Sequence, residues 1–211
     1  MIDITRPLGT RTAEWPGDTP FNIDWTLHVW RGDNVSVSRI VMSPHIGTHA
    51  DAPAHYQSGG ETTGSFDLSA FIGRVRVIDA RGSDQIDVSE LEDEGAIGCE
   101  RLLVRVLDVV RIEEFARDYP VLAPEAAGAL VDGGLRLYGT DAPSVDPVDS
   151  SRMSAHRALG AAKIPILENL DLTEVEPGDY DLLALPLKLE AADAAPVRAV
   201  LLAPGTLGGQ G

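Results

Sequence analysis

Ser43-Pro44-His45-Ile46-Gly47-Thr48-His49-Ala50-Asp51-Ala52-Pro53-Ala54-His55 holds three of the five histidines of this 211-residue chain, with an aspartate among them. Imidazole and carboxylate bind zinc and similar divalent ions at neutral pH. His45, His49 and Asp51 are spaced so that a tight turn brings all three to one point. The pattern is not the helical motif of zinc proteases, because Ile46 stands where that motif needs glutamate. Pro44, Gly47 and Pro53 argue against a regular helix or a central strand. The expectation is a rigid loop that aims its ligands inward. Catalytic zinc sites use about three protein ligands and keep one position open for water. Asp51 has two oxygens and can bridge two ions. A closed structural site is the competing reading, but such sites are usually cysteine-rich, and Cys99 is the only cysteine.

Around this segment the composition sets bounds. With 44% apolar residues the chain has material for a substantial core, and its length suits a single domain over residues 1–211. Seventeen basic residues against 33 acidic ones give a formal charge of −16. Phosphate recognition wants a basic stripe and anionic membranes want a polybasic segment. Nucleic acid and membrane are therefore not expected partners, and the acidity reads as solubility. The segment Met1 to Arg6 lacks the layout of a signal peptide, and no apolar run reaches membrane-spanning length. A cytoplasmic location is expected.

Strands outnumber helices along the chain. Phe21, Ile23, Trp25, Leu27 and Val29 alternate, which marks a strand. Val35, Val37 and Val41 mark a second that runs into the histidine segment. Further strands are expected over 74–80, 101–107, 135–138, 164–167, 181–189 and 197–202. Asp67 to Ile72 reads as a short helix closed by Gly73. Pro124 to Asp132, with Pro at its start and Gly133-Gly134 behind it, reads as a second helix. Ser150 to Gly160 reads as a third and carries His156. Residues 205–211 are expected to fray. The order is mixed, so the class is α/β with a mixed sheet.

Other candidates are weaker by themselves. His156 on a helix is as readily a packed or solvent-facing histidine. Glu168 follows the apolar run Ile164 to Leu167, where a buried carboxylate needs a partner and a metal ion is one. Its plain alternative is a surface acid at a strand end. His28 falls out of phase with the apolar face of its strand and reads as surface. Trp15, in the turn-rich Trp15-Pro16-Gly17-Asp18-Thr19-Pro20, can wall a planar ligand or merely cover the core edge. Trp25 is expected to pack in the sheet, and Trp30 can do either.

The segment from His45 to His55 resembles the His-x-Gly-Thr-His-x-Asp-x-Pro-x-His signature of the metal-dependent cyclase family. Trp15 to Pro20, Thr140-Asp141-Ala142-Pro143-Ser144-Val145-Asp146-Pro147, Ile166-Leu167-Glu168-Asn169-Leu170 and Ala184-Leu185-Pro186-Leu187-Lys188 resemble, in the same order, segments of its arylformamidase branch. Ala142 and Ala195 depart from that pattern, at positions where threonine and serine are expected. The resemblance implies a compact mixed α/β unit of the swivelling β/β/α type, assembled as a homodimer. It implies two divalent ions, commonly zinc, with manganese also suited to the ligands. His45, His49 and Asp51 would hold the first ion. Asp51 would bridge to the second, held also by His156 and Glu168, and Glu168 can touch both. His55 would be the proton donor and acceptor, and Trp15 would line the pocket. The implied reaction is hydrolysis of an aromatic formamide, N-formyl-L-kynurenine, to L-kynurenine and formate in tryptophan degradation. The alternatives are another amidohydrolase of the same family, opening a cyclic amide such as isatin, or a metal-binding protein without turnover.

Overall fold

The computed structural model describes residues 1–208. The chain opens with β1 (Ile2–Asp3), the hairpin strands β2 (Asn22–Leu27) and β3 (Val37–Val41), and the short β4 (His49–Asp51). It continues through β5 (Ile72–Asp79), β6 (Gln85–Ile86), helix α1 (Val88–Asp93), β7 (Arg101–Arg105) and β8 (Val121–Leu122). Helix α2 (Pro124–Asp132), β9 (Leu137–Thr140), helix α3 (Ser154–Ala161) and β10 (Ile166–Glu168) follow, and β11 (Gly178–Leu183), β12 (Ala194–Pro196) and β13 (Val200–Leu202) close the fold. Nine strands form one sheet in the order β1-β13-β11-β5-β7-β9-β10-β4-β12. β5, β7, β9 and β10 run parallel at its centre, and antiparallel strands flank them on both sides. This is the mixed α/β sheet expected. No helix among the described residues is long and apolar enough to cross a membrane.

Alternation along the central strands sorts their side chains into two cores. Ile78, Leu102, Val104, Tyr138 and Ile166 face the helices, where Leu91, Ala126, Leu130, Ala155 and Leu159 meet them. Val75, Val77, Leu103, Leu137 and Leu167 face the other way and pack with Phe71, Leu182 and Leu201. Both faces are thus covered over most of these strands, though Arg74 and Arg76 interrupt the apolar run of β5. Gly139 allows the strands to pack closely there, since a Cβ would lie 2.5 Å from Leu103 Cδ2.

Several expectations need correction. His49 to Asp51 is not loop but a strand inside the sheet, paired with β10 on one side and β12 on the other. The breakers Pro44, Gly47 and Pro53 flank this three-residue strand without entering it, so none interrupts its ladder. Helix α3 begins at Ser154 rather than Ser150, because Met153 adopts a left-handed φ of 49°. Leu68–Phe71 is a 3₁₀ turn capped by Asp67, and Gly73 lies within β5 instead of closing a helix. Helix α1 and strand β12 were not anticipated. The signal for α1 was present: Asp87 accepts from Glu90 N–H at 2.9 Å, the spacing of a capped helix start. Of the tail expected to fray, Gly205 to Gly208 is described and makes a turn, and 209–211 lie outside the described residues.

The strands expected at 21–29 and 35–41 do pair, but apart from the main sheet. Every residue of both strands is exposed. Trp25, expected to pack in the sheet, is 42% exposed and Trp30 is 91% exposed. His28 is half-buried between their rings, with centroids 4.8 Å away on each side.

Candidate metal centre

Strand register assembles the centre. β10 pairs with β4 so that Glu168 lies opposite His49 and Ile166 opposite Asp51. Residues of one parity share a face, so His49, Asp51 and Glu168 all point toward α3, while Ala50 and Leu167 enter the opposite core. His156 on α3 meets them from the helix layer. Gly47, at φ 66°, turns the chain just before β4 and sets the approach of His45; a Cβ there would sit 2.5 Å from Leu8 Cδ2. Pro53 starts a single 3₁₀ turn, Pro53–His55, that presents His55 beside the others.

The donor atoms form two adjoining groups. His45 Nδ1, His49 Nε2 and Asp51 Oδ1 lie 3.1, 3.2 and 3.3 Å from one another. Asp51 Oδ2 lies 3.4 Å from His156 Nε2, which lies 3.3 Å from Glu168 Oε1. Glu168 Oε2 reaches back to within 3.6 Å of His49 Nε2. Ligands bound at about 2.0–2.2 Å in a tetrahedron stand roughly 3.3–3.6 Å apart; His45, His49 and Asp51 have about that mutual spacing, and His156 Nε2 stands at it from one oxygen each of Asp51 and Glu168. His55 offers a ligand atom within 4.8 Å of those of Asp51 and His156. Distance alone does not separate it from the ligands; its side chain is 31% exposed where those of His49 and His156 are 1%.

Outer hydrogen bonds fix which ring nitrogen faces inward. His49 Nδ1 lies 2.8 Å from the Gly47 carbonyl, which can only accept, so Nδ1 carries the proton and Nε2 keeps its lone pair. His156 Nδ1 donates to Asp146 Oδ2 at 2.7 Å. His45 Nε2 donates to Asp193 Oδ2 at 3.0 Å, and the same oxygen lies 3.6 Å from His55 Nδ1. Each inward nitrogen is then left as an acceptor, the arrangement that orients histidine on a metal. Asp146 also accepts from the Ala155 and His156 N–H groups, both at 3.0 Å, and so caps α3 from outside the helix. Sequence reading quoted Asp146 without a role and did not find Asp193. Nothing in the sequence marks Asp193; it arrives through β12, whose pairing with β4 is long-range.

These donors fit a divalent cation. Both Asp51 oxygens and His156 Nε2 are buried without a hydrogen-bond partner. Lone pairs and two carboxylates converge among buried side chains, and positive charge reconciles them. Without an ion, protons supply it. Burial pulls His49 down, but Asp51 and Glu168 outweigh burial and carry it up to about 10. His156 and His45 are raised for the same kind of reason, burial opposed by carboxylate hydrogen bonds. Asp51 is pushed up by burial, yet the imidazoles around it hold it well below the usual carboxylate range. His55 moves the other way: its burial outweighs the pull of Asp51 and lowers it.

The centre opens on a cavity of about 440 Å³ lined by His45, His49, His55, His156 and Glu168 on its floor. Trp15 and Phe115 form an aromatic wall, ring edge to face at 5.0 Å. Trp15 thus lines this cavity.

The Cyclase family matches residues 2–147, a span that holds Trp15, His45, His49, Asp51, His55 and Asp146. A kynurenine formamidase of Bacillus cytotoxicus is 42% identical over 200 residues, covering 95% of this chain and 96% of that protein. A kynurenine formamidase of Bacillus cereus matches at the same identity and coverage. Among solved structures, one described as a predicted metal-dependent hydrolase from Bacillus stearothermophilus superposes with a TM-score of 0.81 at 28% identity, over 94% of this chain and 96% of that one. Isatin hydrolase A from Labrenzia aggregata shares the fold, with a TM-score of 0.81 at 24% identity over 96% of this chain and 93% of its own.

Proposed function

The chain belongs to the Cyclase family, and on that premise we propose that it is an arylformamidase that hydrolyses N-formyl-L-kynurenine to L-kynurenine and formate. The observation that carries the reaction class is the convergence of the unpartnered Asp51 oxygens with His156 Nε2, beneath the floor that His45, His49, His156 and Glu168 give an aromatic-walled cavity. The substrate rests on the 42% identity with kynurenine formamidases across 95% of the chain.

In this reading His45, His49 and Asp51 hold one ion, and Asp51, His156 and Glu168 hold a second. Imidazole and carboxylate suit zinc, and manganese also. Such ions supply Lewis-acid polarisation of a carbonyl and lower the pKa of water toward 7. The protein's own groups do the rest. Trp15 and Phe115 hold the aromatic ring so that the formyl group faces the floor. Water adds to the formyl carbon, the carbon–nitrogen bond breaks, and formate leaves. His55 takes the proton released by water and returns it to the aniline nitrogen as that bond breaks. An imidazole serves both directions because its ordinary pKa is near 6.5. The lowering of His55 keeps its ring neutral and able to accept at pH 7. Asp193, 3.6 Å from His55 Nδ1, steadies the ring.

The same reading includes a cytoplasmic homodimer. An isolated two-stranded hairpin is marginally stable in water, and Ile23, Trp25, Leu27, Val37 and Val41 stand 36–45% exposed on this one. A second copy covering them accounts for that apolar surface. Sedimentation equilibrium should give a dimer; a monomer at micromolar concentration removes this part. The test of the reaction is a two-substrate assay of the zinc-loaded protein. Kynurenine should appear from N-formyl-L-kynurenine with far higher kcat/KM than isatin is opened. Preference for isatin transfers the site to the cyclic amide, and inertness toward both returns it to metal binding without turnover.

A further inference from the structure

Arg6 is the only arginine or lysine on the cavity wall among the described residues. It is 8% exposed, yet no carboxylate among the described residues lies within the 4 Å of an ion pair. Its Nε donates to the Leu170 carbonyl at 3.3 Å and one terminal nitrogen donates to the Asp141 carbonyl. The other terminal nitrogen, Nη1, has no acceptor among the described residues. Two carbonyls can be satisfied by neutral donors. Asp141 and Asp171 attract the Arg6 charge only from beyond ion-pair distance, so a guanidinium kept out of water here still needs another reason. Burial already draws the Arg6 guanidinium down to about 10, so the surroundings do not favour the charge by themselves.

Its position supplies the reason. The Arg6 N–H donates to Thr48 Oγ1 at 2.9 Å, and Thr48 Oγ1 donates to the Asn169 carbonyl at 2.6 Å. The Arg6 backbone is therefore tied to the residue before His49, and its Nε to a carbonyl two residues after Glu168, beside two ligands of the candidate centre. A guanidinium there faces the same cavity as the metal donors. Planar guanidinium recognises carboxylate by a fork of N–H donors.

We propose that Arg6 is the receptor for a carboxylate on the substrate, so that the cavity selects aromatic formamides with an acidic tail over neutral or cationic ones. This rests on the formamidase reading and deepens it, because it identifies what holds the amino-acid end of the substrate.

The test compares N-formyl-L-kynurenine with its decarboxylated analogue, formylkynuramine, on the zinc-loaded protein. Both present the same ring and formyl group. The natural chain should prefer the acidic formamide by about 10- to 100-fold in kcat/KM, expressed in KM. Calorimetry should show kynurenine binding at least tenfold tighter than kynuramine. In Arg6→Gln that ratio should fall toward about 1, and Arg6→Lys should keep part of it. Equal use of both formamides by the natural chain, or an undiminished ratio in Arg6→Gln, overturns the proposal while the formamidase reading stands. Should Arg6→Gln fail to fold, the substrate and product comparisons on the natural chain decide. Cleavage of neither formamide overturns the formamidase reading and this inference with it.

Discussion

Replacing Asp146 by asparagine should weaken one of the two proposed metal sites and spare the other. Asp146 touches no donor group directly, but its Oδ2 takes the proton-bearing Nδ1 of His156 at 2.7 Å and the His156 N–H at 3.0 Å, while Oδ1 takes the Ala155 N–H at 3.0 Å. Asparagine keeps one oxygen for the helix cap. Its amide then presents N–H to a ring nitrogen that also carries a proton. The clash is relieved by moving the imidazole proton to Nε2, which removes the lone pair that faces Asp51 and Glu168. Loss of an outer carboxylate on a metal-bound histidine typically lowers affinity about 10- to 100-fold, or roughly 1.4–2.8 kcal/mol. The weakened cap costs a further ~0.5–2 kcal/mol of stability. Zinc titration against a chromophoric chelator measures the first effect and thermal melting of the metal-free protein the second. His45, His49 and Asp51 Oδ1 are untouched, so only one of two equivalents should weaken. Two unchanged equivalents, or two equally weakened ones, refute the tautomer argument.

Three further outcomes follow from the same geometry. His55→Gln should lower kcat by about 10²–10⁴-fold with metal content near that of the natural chain; metal lost in step with activity makes His55 a ligand instead. In the metal-free protein His49 is carried from 6.5 to about 10. A base raised on folding contributes stability that is full below its unfolded value and fades as pH rises through its folded value. The melting temperature of the chelated protein should therefore fall between about pH 6.5 and 10 relative to the metal-loaded form, and metal affinity should rise over the same window as ions displace those protons; parallel profiles contradict this. Gly160→Ala should destabilise the fold by about 1–3 kcal/mol in chemical denaturation, because its Cβ would stand 2.5 Å from the Tyr56 ring that packs on His156. A neutral result would mean that Tyr56 moves freely and does not brace the centre.

The candidate site was legible in the sequence because His45, His49, Asp51 and His55 fall within eleven residues, and local spacing exposes them. His156 and Glu168 carry no such local mark. What joins them to the others is the β10–β4 register and the packing of α3, and both are non-local. The same limit hid Asp193, delivered by β12, and Arg6, buried from a part of the chain that reads as an ordinary N-terminal segment. The mixed sheet followed from strands that outnumber helices in a mixed order along the chain. The helix over Pro124–Asp132 matched its expected bounds, since proline and glycine punctuate both ends. The hairpin shows the converse error. Alternation in Ile23, Trp25 and Leu27 signals a strand with an apolar face, but it does not say whether this chain or another covers that face.

The most direct measurement is kynurenine release from N-formyl-L-kynurenine by purified protein, before chelation, after it, and with zinc or manganese restored. The donor geometry of His45, His49, Asp51, His156 and Glu168 requires turnover that disappears with the metal and returns with it. Turnover that persists in protein verified to be metal-free would contradict the account at its centre.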